Sequence, residues 1–133
     1  LTLLDIALRE NRMKDAEAIA NISRDMANLF DLWEYNSYIA HFNLYLHMLD
    51  APQCLAILQR MLPALLSQWD LSKSPLYKHI PAKKEVQSLG NTLLPKLLAE
   101  FEDPNNHECD FIRDLPEFQQ LTKDMRARLK VQQ

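Results

Sequence analysis

Glycine occurs once in these 133 residues, at Gly90. Tight turns between β-strands rely on glycine or asparagine at positive φ, so a β-rich fold is not expected. Its apolar residues recur instead at helical spacing. The length fits one domain, 1–133, able to bury a core without disulfides or metals. Hydrophobic residues make up 47%, which excludes a disordered chain. No apolar run approaches a membrane span.

Leu1, Leu4, Ala7 and Leu8 mark a first helix, and Asn11-Arg12 breaks it. Ala16, Ile19, Ala20, Ile22 and Met26 mark a second, to about Asn28, giving an αα-hairpin. Asp31 is the N-cap expected for a third helix reaching about Asp50, with an apolar stripe of Tyr35, Tyr38, Ile39, Phe42, Tyr45, Leu46 and Leu49. Pro52 opens a fourth helix, carried by Leu55, Ile57, Leu58, Met61, Leu62, Leu65 and Leu66, which Pro63 should kink. A loop follows from Asp70 to Pro81. Next comes a helix from about Ala82 to Phe101, made irregular by Gly90 and Pro95. Asp103-Pro104-Asn105-Asn106 is a break. The segment from Asp110 to Lys130 reads as a short helical turn and then a helix opened by Pro116, with Phe118, Leu121, Met125 and Leu129 on one face.

The two hairpins superpose with an offset of about 38 residues. Leu4 then falls on Phe42, Leu8 on Leu46, Ala16 on Cys54, Ala18 on Ala56 and Ile19 on Ile57. Asn11-Arg12-Met13-Lys14-Asp15-Ala16 resembles the tetratricopeptide turn, without its usual glycine and with a spacing longer than the usual 34 or so residues. The expected fold is all-α, of tetratricopeptide-like stacked helical hairpins in an α-α superhelix, because each hairpin has an apolar face that it cannot bury alone.

The formal net charge of −3 and the absence of a basic patch argue against direct nucleic-acid binding. Cys54 and Cys109 lack CxxC spacing and read as free thiols in a reducing compartment, so a cytoplasmic location is expected. The serines lack a nucleophile elbow, and one glycine makes no phosphate-cradling loop. The chain is therefore read as a binding protein and not an enzyme, with no cofactor. His41, His47, His79 and His107 are scattered. The cluster His107-Glu108-Cys109-Asp110 consists of adjacent positions that do not converge on one metal, so no metal site is expected.

Three segments carry a resemblance. They are Ser74-Pro75-Leu76-Tyr77-Lys78-His79-Ile80, Leu93-Leu94-Pro95-Lys96-Leu97-Leu98, and Cys109-Asp110-Phe111-Ile112-Arg113-Asp114-Leu115-Pro116-Glu117-Phe118. Their order resembles the C-terminal region of XRE-type helix-turn-helix transcriptional regulators of Gram-positive bacteria. The resemblance covers residues 30–125. It implies a regulatory, sensing and dimerisation domain, a fragment of a longer protein whose N-terminal DNA-binding domain precedes Leu1. The expected partners are a second copy of the chain (a homodimer), a short peptide or protein ligand, and DNA only through the missing domain. The alternative is a freestanding tetratricopeptide-like interaction scaffold. Physically, Leu76, Tyr77 and Ile80 should plug onto the last hairpin, and Phe111, Ile112 and Phe118 should seal the C-terminal end.

The candidate ligand residues are Asn36, Asn43 and His47. With Ala40 they fall at helical spacing on the face opposite the apolar stripe of the third helix. An asparagine amide both donates and accepts, which suits the backbone of an extended peptide. The competing reading is a plain solvated face.

Overall fold

The computed structural model describes residues 2–68, 70–79 and 89–132. Among them all regular structure is helical: α1 (Leu3–Arg9), α2 (Met13–Leu29), α3 (Ile39–Met48), α4 (Ala51–Leu65), α5 (Leu89–Glu102), α6 (Asp110–Arg113) and α7 (Pro116–Gln132), with short 3-10 turns at Glu34–Ser37, Leu71–Lys73 and His107–Cys109. The all-α expectation holds.

Helix starts follow local capping. Thr2 accepts from the Asp5 amide at 3.1 Å while Asp5 accepts from the Thr2 amide at 3.0 Å, a reciprocal box that begins α1. The Asp50 carboxylate accepts from the Gln53 amide at 3.2 Å, and Pro52 fits the first turn of α4 because no amide proton is needed there.

Helix ends share one device. After α1, Asn11 has φ 57°, and the Arg12 amide reaches back to the Ala7 carbonyl at 2.9 Å. After α3, Leu49 has φ 54°, and the Asp50 amide reaches the Tyr45 carbonyl at 3.1 Å. After α2, Asp31 has φ 51°, and the Leu32 amide reaches the Ala27 carbonyl at 2.9 Å. Each is a left-handed residue closing a six-to-one hydrogen bond, the job usually given to glycine. Asn11 and Leu49 stand at equivalent places in the two hairpins, as do their bonding partners.

Asp31 is therefore not the N-cap of a long third helix; it closes α2. The chain then makes the 3-10 turn at Glu34–Ser37, and α3 starts only at Ile39. The buried Trp33 explains the detour. Its indole nitrogen donates to the Ser67 carbonyl at 3.2 Å, which pulls the connection onto the end of α4. The apolar stripe assigned to the third helix also shifts: His41, Phe42 and Leu44 are buried, while Leu49 is 67% exposed.

Both helices that the sequence marks as disturbed by an internal proline run through it. α4 runs through Pro63 and ends two residues later, so the proline lies in its last turn. α5 runs through Pro95 as one helix from Leu89. The stretch from Ala82 to Ser88 lies outside the described residues. Gly90 allows a close backbone approach. A Cβ there would stand 2.6 Å from the Leu65 carbonyl carbon and nearer still to its oxygen, so α5 meets the end of α4 backbone to backbone.

The apolar interior has two parts. The larger joins Trp33, Phe42 and the α4 residues Cys54, Leu58, Met61, Leu62 and Leu65 to Leu94, Leu98, Phe101, Cys109, Ile112, Phe118, Met125 and Leu129. The smaller consists of Leu4, Ala7, Leu8, Ala16, Ala20 and Leu44. Ile112 and Phe118 seal the C-terminal part as expected, with Phe111 partly buried beside them. Of the residues expected to plug in from the Ser74 segment, Leu76 is exposed, Tyr77 is half-buried and Ile80 lies outside the described residues. The anchor is the buried Ser74, whose hydroxyl donates to Asp31 at 2.7 Å and accepts from the Leu76 amide at 3.2 Å.

Candidate functional site

α2 is apolar over a wider arc than its own neighbours cover. Ala16, Ala20 and Ala27 face the interior, and their small size lets α1 and α3 approach. Ile22 and Met26, one helical turn apart, belong to the apolar pattern that marks this helix in the sequence. They are 56% and 50% exposed. With Ile19 of α2, Leu3 and Leu4 of α1, and Ile39 and Ala40 of α3 they wall a groove of about 460 Å³. Its polar edge is Thr2, Ser23, Asn36 and Asn43, and among the described residues no charged side chain lines it.

Asn36 and Asn43 thus share one groove, although not as two points on one helix. Asn36 belongs to the 3-10 turn and Asn43 to α3. Both are exposed. Ala40 between them is half-buried against the N-terminal core, so this face is not opposite the apolar one; α3 is flanked by α2 and α4. His47 is not in the groove. It borders a separate hollow with Asp5, Arg9, Leu46 and Glu108, and Asn43 lies on the wall of both. Sequence reasoning missed Ile22, Met26 and Leu3 as site residues. The available signal was the width of the α2 apolar arc, which exceeds what one face of packing needs.

A second hollow, of about 430 Å³, lies between α2, α3 and α4. Its floor is His41, only 7% exposed, with Nε2 2.9 Å from the Asn21 side-chain oxygen. The oxygen can only accept, so in this pairing Nε2 carries the proton. Burial, and next the nearby Arg24 charge, hold the imidazole below its usual pKa, while Asp25 and Glu17 oppose the shift. The ring is thus kept neutral, with Nδ1 as an acceptor.

Cys54 and Cys109 are free and buried. Burial pushes their thiols up to about 12 and about 11, which leaves them protonated and unreactive, as members of the core. His107 Nδ1 meets Asp110 at 2.9 Å on the surface. Among the described residues no cluster of histidine, cysteine and acidic side chains has the geometry to hold a metal ion. No helix among them is long and apolar enough to cross a membrane.

Compared with protein-family models, with curated proteins and with solved structures, the chain matches none of them.

Proposed function

We propose that this chain is the regulatory domain of a bacterial transcriptional regulator, built of tetratricopeptide-like hairpins, which binds a short apolar peptide in the groove between α1, α2 and α3. The observation that carries the peptide reading is the groove itself. Ile22 and Met26 are half-exposed on its wall, no charged side chain among the described residues interrupts it, and two asparagine amides stand at its edge. Apolar walls with a few placed polar groups are the usual composition of a ligand site. Methionine adds a side chain that adapts to differently shaped partners.

The repeat supports the hairpin architecture. Equivalent positions share burial: Leu4 with Phe42, Ala16 with Cys54 and Ala20 with Leu58 are buried, while Ala18 and Ala56 are exposed. The left-handed turn residues Asn11 and Leu49 repeat at the same offset. Dimerisation belongs to the same proposal. Leu29, Phe30 and Leu32, at and just after the end of α2, are exposed apolar side chains and offer a patch for a second copy.

Peptides selected from a random displayed library against the protein test the groove. The selected peptides should be apolar, and Ile22→Asp should abolish their binding while circular dichroism is unchanged. Equal binding to Ile22→Asp would place the peptides elsewhere and end the groove reading. Sedimentation of the Phe30→Asp variant beside the parent chain tests the dimer: the parent should show twice the mass of the variant.

A further inference from the structure

The charged side chains that line the hollow between α2, α3 and α4 are sorted: the arginines fall toward one end and the acids toward the other. α3 starts near the end of α2, and Asn21 meets His41, so α2 runs antiparallel to α3. α4 follows α3 through a tight turn and also runs back along it. By that register Arg24 of α2 and Arg60 of α4 both fall toward the start of α3; Arg24 also pairs with Asp25 at 3.2 Å, and Arg60 acts on the Tyr38 hydroxyl, which donates to Glu34 at 3.1 Å. Glu17 of α2 and Asp50 at the start of α4 lie together toward its other end.

Along α2 the acid and the base are seven residues apart, about 10.5 Å at 1.5 Å per residue. Along α4 they are ten apart, about 15 Å. Between the two ends sit His41 and Asn21. With Nε2 committed to Asn21, the ring's Nδ1 remains as an acceptor. No buried side-chain nitrogen or oxygen among the described residues lacks a partner, so that nitrogen is open to the hollow. The Asn21 amide nitrogen is a donor beside it. Arg60 is exposed and pairs with no carboxylate among the described residues.

We propose that this hollow binds a small linear zwitterion, a peptide of about three or four residues with both termini free. Its carboxylate lies between Arg24 and Arg60, its ammonium group between Glu17 and Asp50, and a central peptide group on His41 and Asn21. The length follows from the charge separation, since an extended peptide advances about 3.3 Å per residue. Arginine at one end matches a carboxylate in shape as well as charge. A neutral imidazole acceptor beside an amide donor matches the N–H and C=O of a peptide unit. This site lies on a different side of α3 from the apolar groove and does not depend on it.

Titration calorimetry of the whole chain with trialanine, N-acetyl-trialanine and trialanine amide tests this. Trialanine should bind, and blocking either terminus should weaken it by about tenfold or more, the loss of one charge-assisted contact. Arg60→Gln should remove the preference for a free carboxylate, and Glu17→Gln the preference for a free amine. Both residues are exposed, so both variants keep the fold, which circular dichroism checks. Ile22→Asp should leave trialanine binding unchanged, and this separates the hollow from the groove. No heat from trialanine up to about 10 mM, where even a weak millimolar site would fill, overturns the proposal. Equal affinity for the blocked and free peptides also overturns it.

Discussion

At position 49 a leucine holds a backbone conformation that suits glycine. Its φ of 54° places the side chain against the following carbonyl, at a cost of about 1–2 kcal/mol. The side chain is largely exposed, so little burial offsets that cost. Leu49→Gly should therefore raise stability by about 1 kcal/mol despite the entropy glycine adds to the unfolded chain, read as a higher urea midpoint. A lower midpoint would show that Leu49 contributes packing that outweighs the strain. His41 gives the second prediction at this scale. Burial, then Arg24, lowers its folded pKa below the usual 6.5, so the fold favours the neutral ring. Its contribution is complete above about pH 6.5 and is lost as pH falls through the folded value. Stability measured from about pH 7 down to 5 should fall more steeply for the parent chain than for His41→Gln. Parallel curves would assign the acid sensitivity to other groups. Neither residue stood out in the sequence for these roles, because strain at Leu49 and burial of His41 depend on where the neighbouring helices lie.

Among the elements, the contact of α5 with α4 sets two effects of known size against each other. Alanine for glycine inside a helix ordinarily gains about 1 kcal/mol. At Gly90 the new methyl would overlap the Leu65 carbonyl, and backbone cannot turn aside as a side chain can. Overpacking of this kind costs about 1–3 kcal/mol, so the clash wins. Gly90→Ala should lower the melting temperature, and Gly90→Ser more so. A rise for Gly90→Ala would mean that α5 sits farther from α4. The periodicity of α2, α4 and α7 was readable because each has a buried face spaced at 3–4 residues. The start of α3 was not. Tyr35, Tyr38 and Ile39 continue its apolar pattern backward, yet the buried Trp33 and its bond to Ser67 hold that stretch in a 3-10 turn. A periodic pattern does not distinguish one long helix from a turn and a shorter helix when both bury the same side chains.

The whole molecule has an uneven interior. The N-terminal core of Leu4, Ala7, Leu8, Ala16, Ala20 and Leu44 is small and rich in alanine, whereas the larger core holds Phe42, Phe101, Phe118 and most of the leucines. Buried apolar area scales with stabilisation at about 25 cal/mol per Å², so the first hairpin is the weaker unit. Native-state hydrogen exchange should show α1 and the start of α2 opening at lower free energy than α4 and α7. Uniform protection across the chain would indicate a single cooperative unit.

One glycine, helical periodicity and capping residues determined that this chain is all-α, where most helices start, and that two hairpins repeat. These depend on neighbours within a turn or two along the chain, which any reader of the sequence has in hand. Tertiary structure alone decided that Asn36 and Asn43 share a groove while His47 faces another hollow, that Ile22 and Met26 stay uncovered, and that Ser74 rather than Leu76 anchors its segment. It also decided the sorting of Glu17, Asp50, Arg24 and Arg60 to opposite ends of one hollow. Those facts depend on which sides of α2 and α4 meet α3. Helix-to-helix packing is fixed by side chains far apart in sequence, and no local pattern records it.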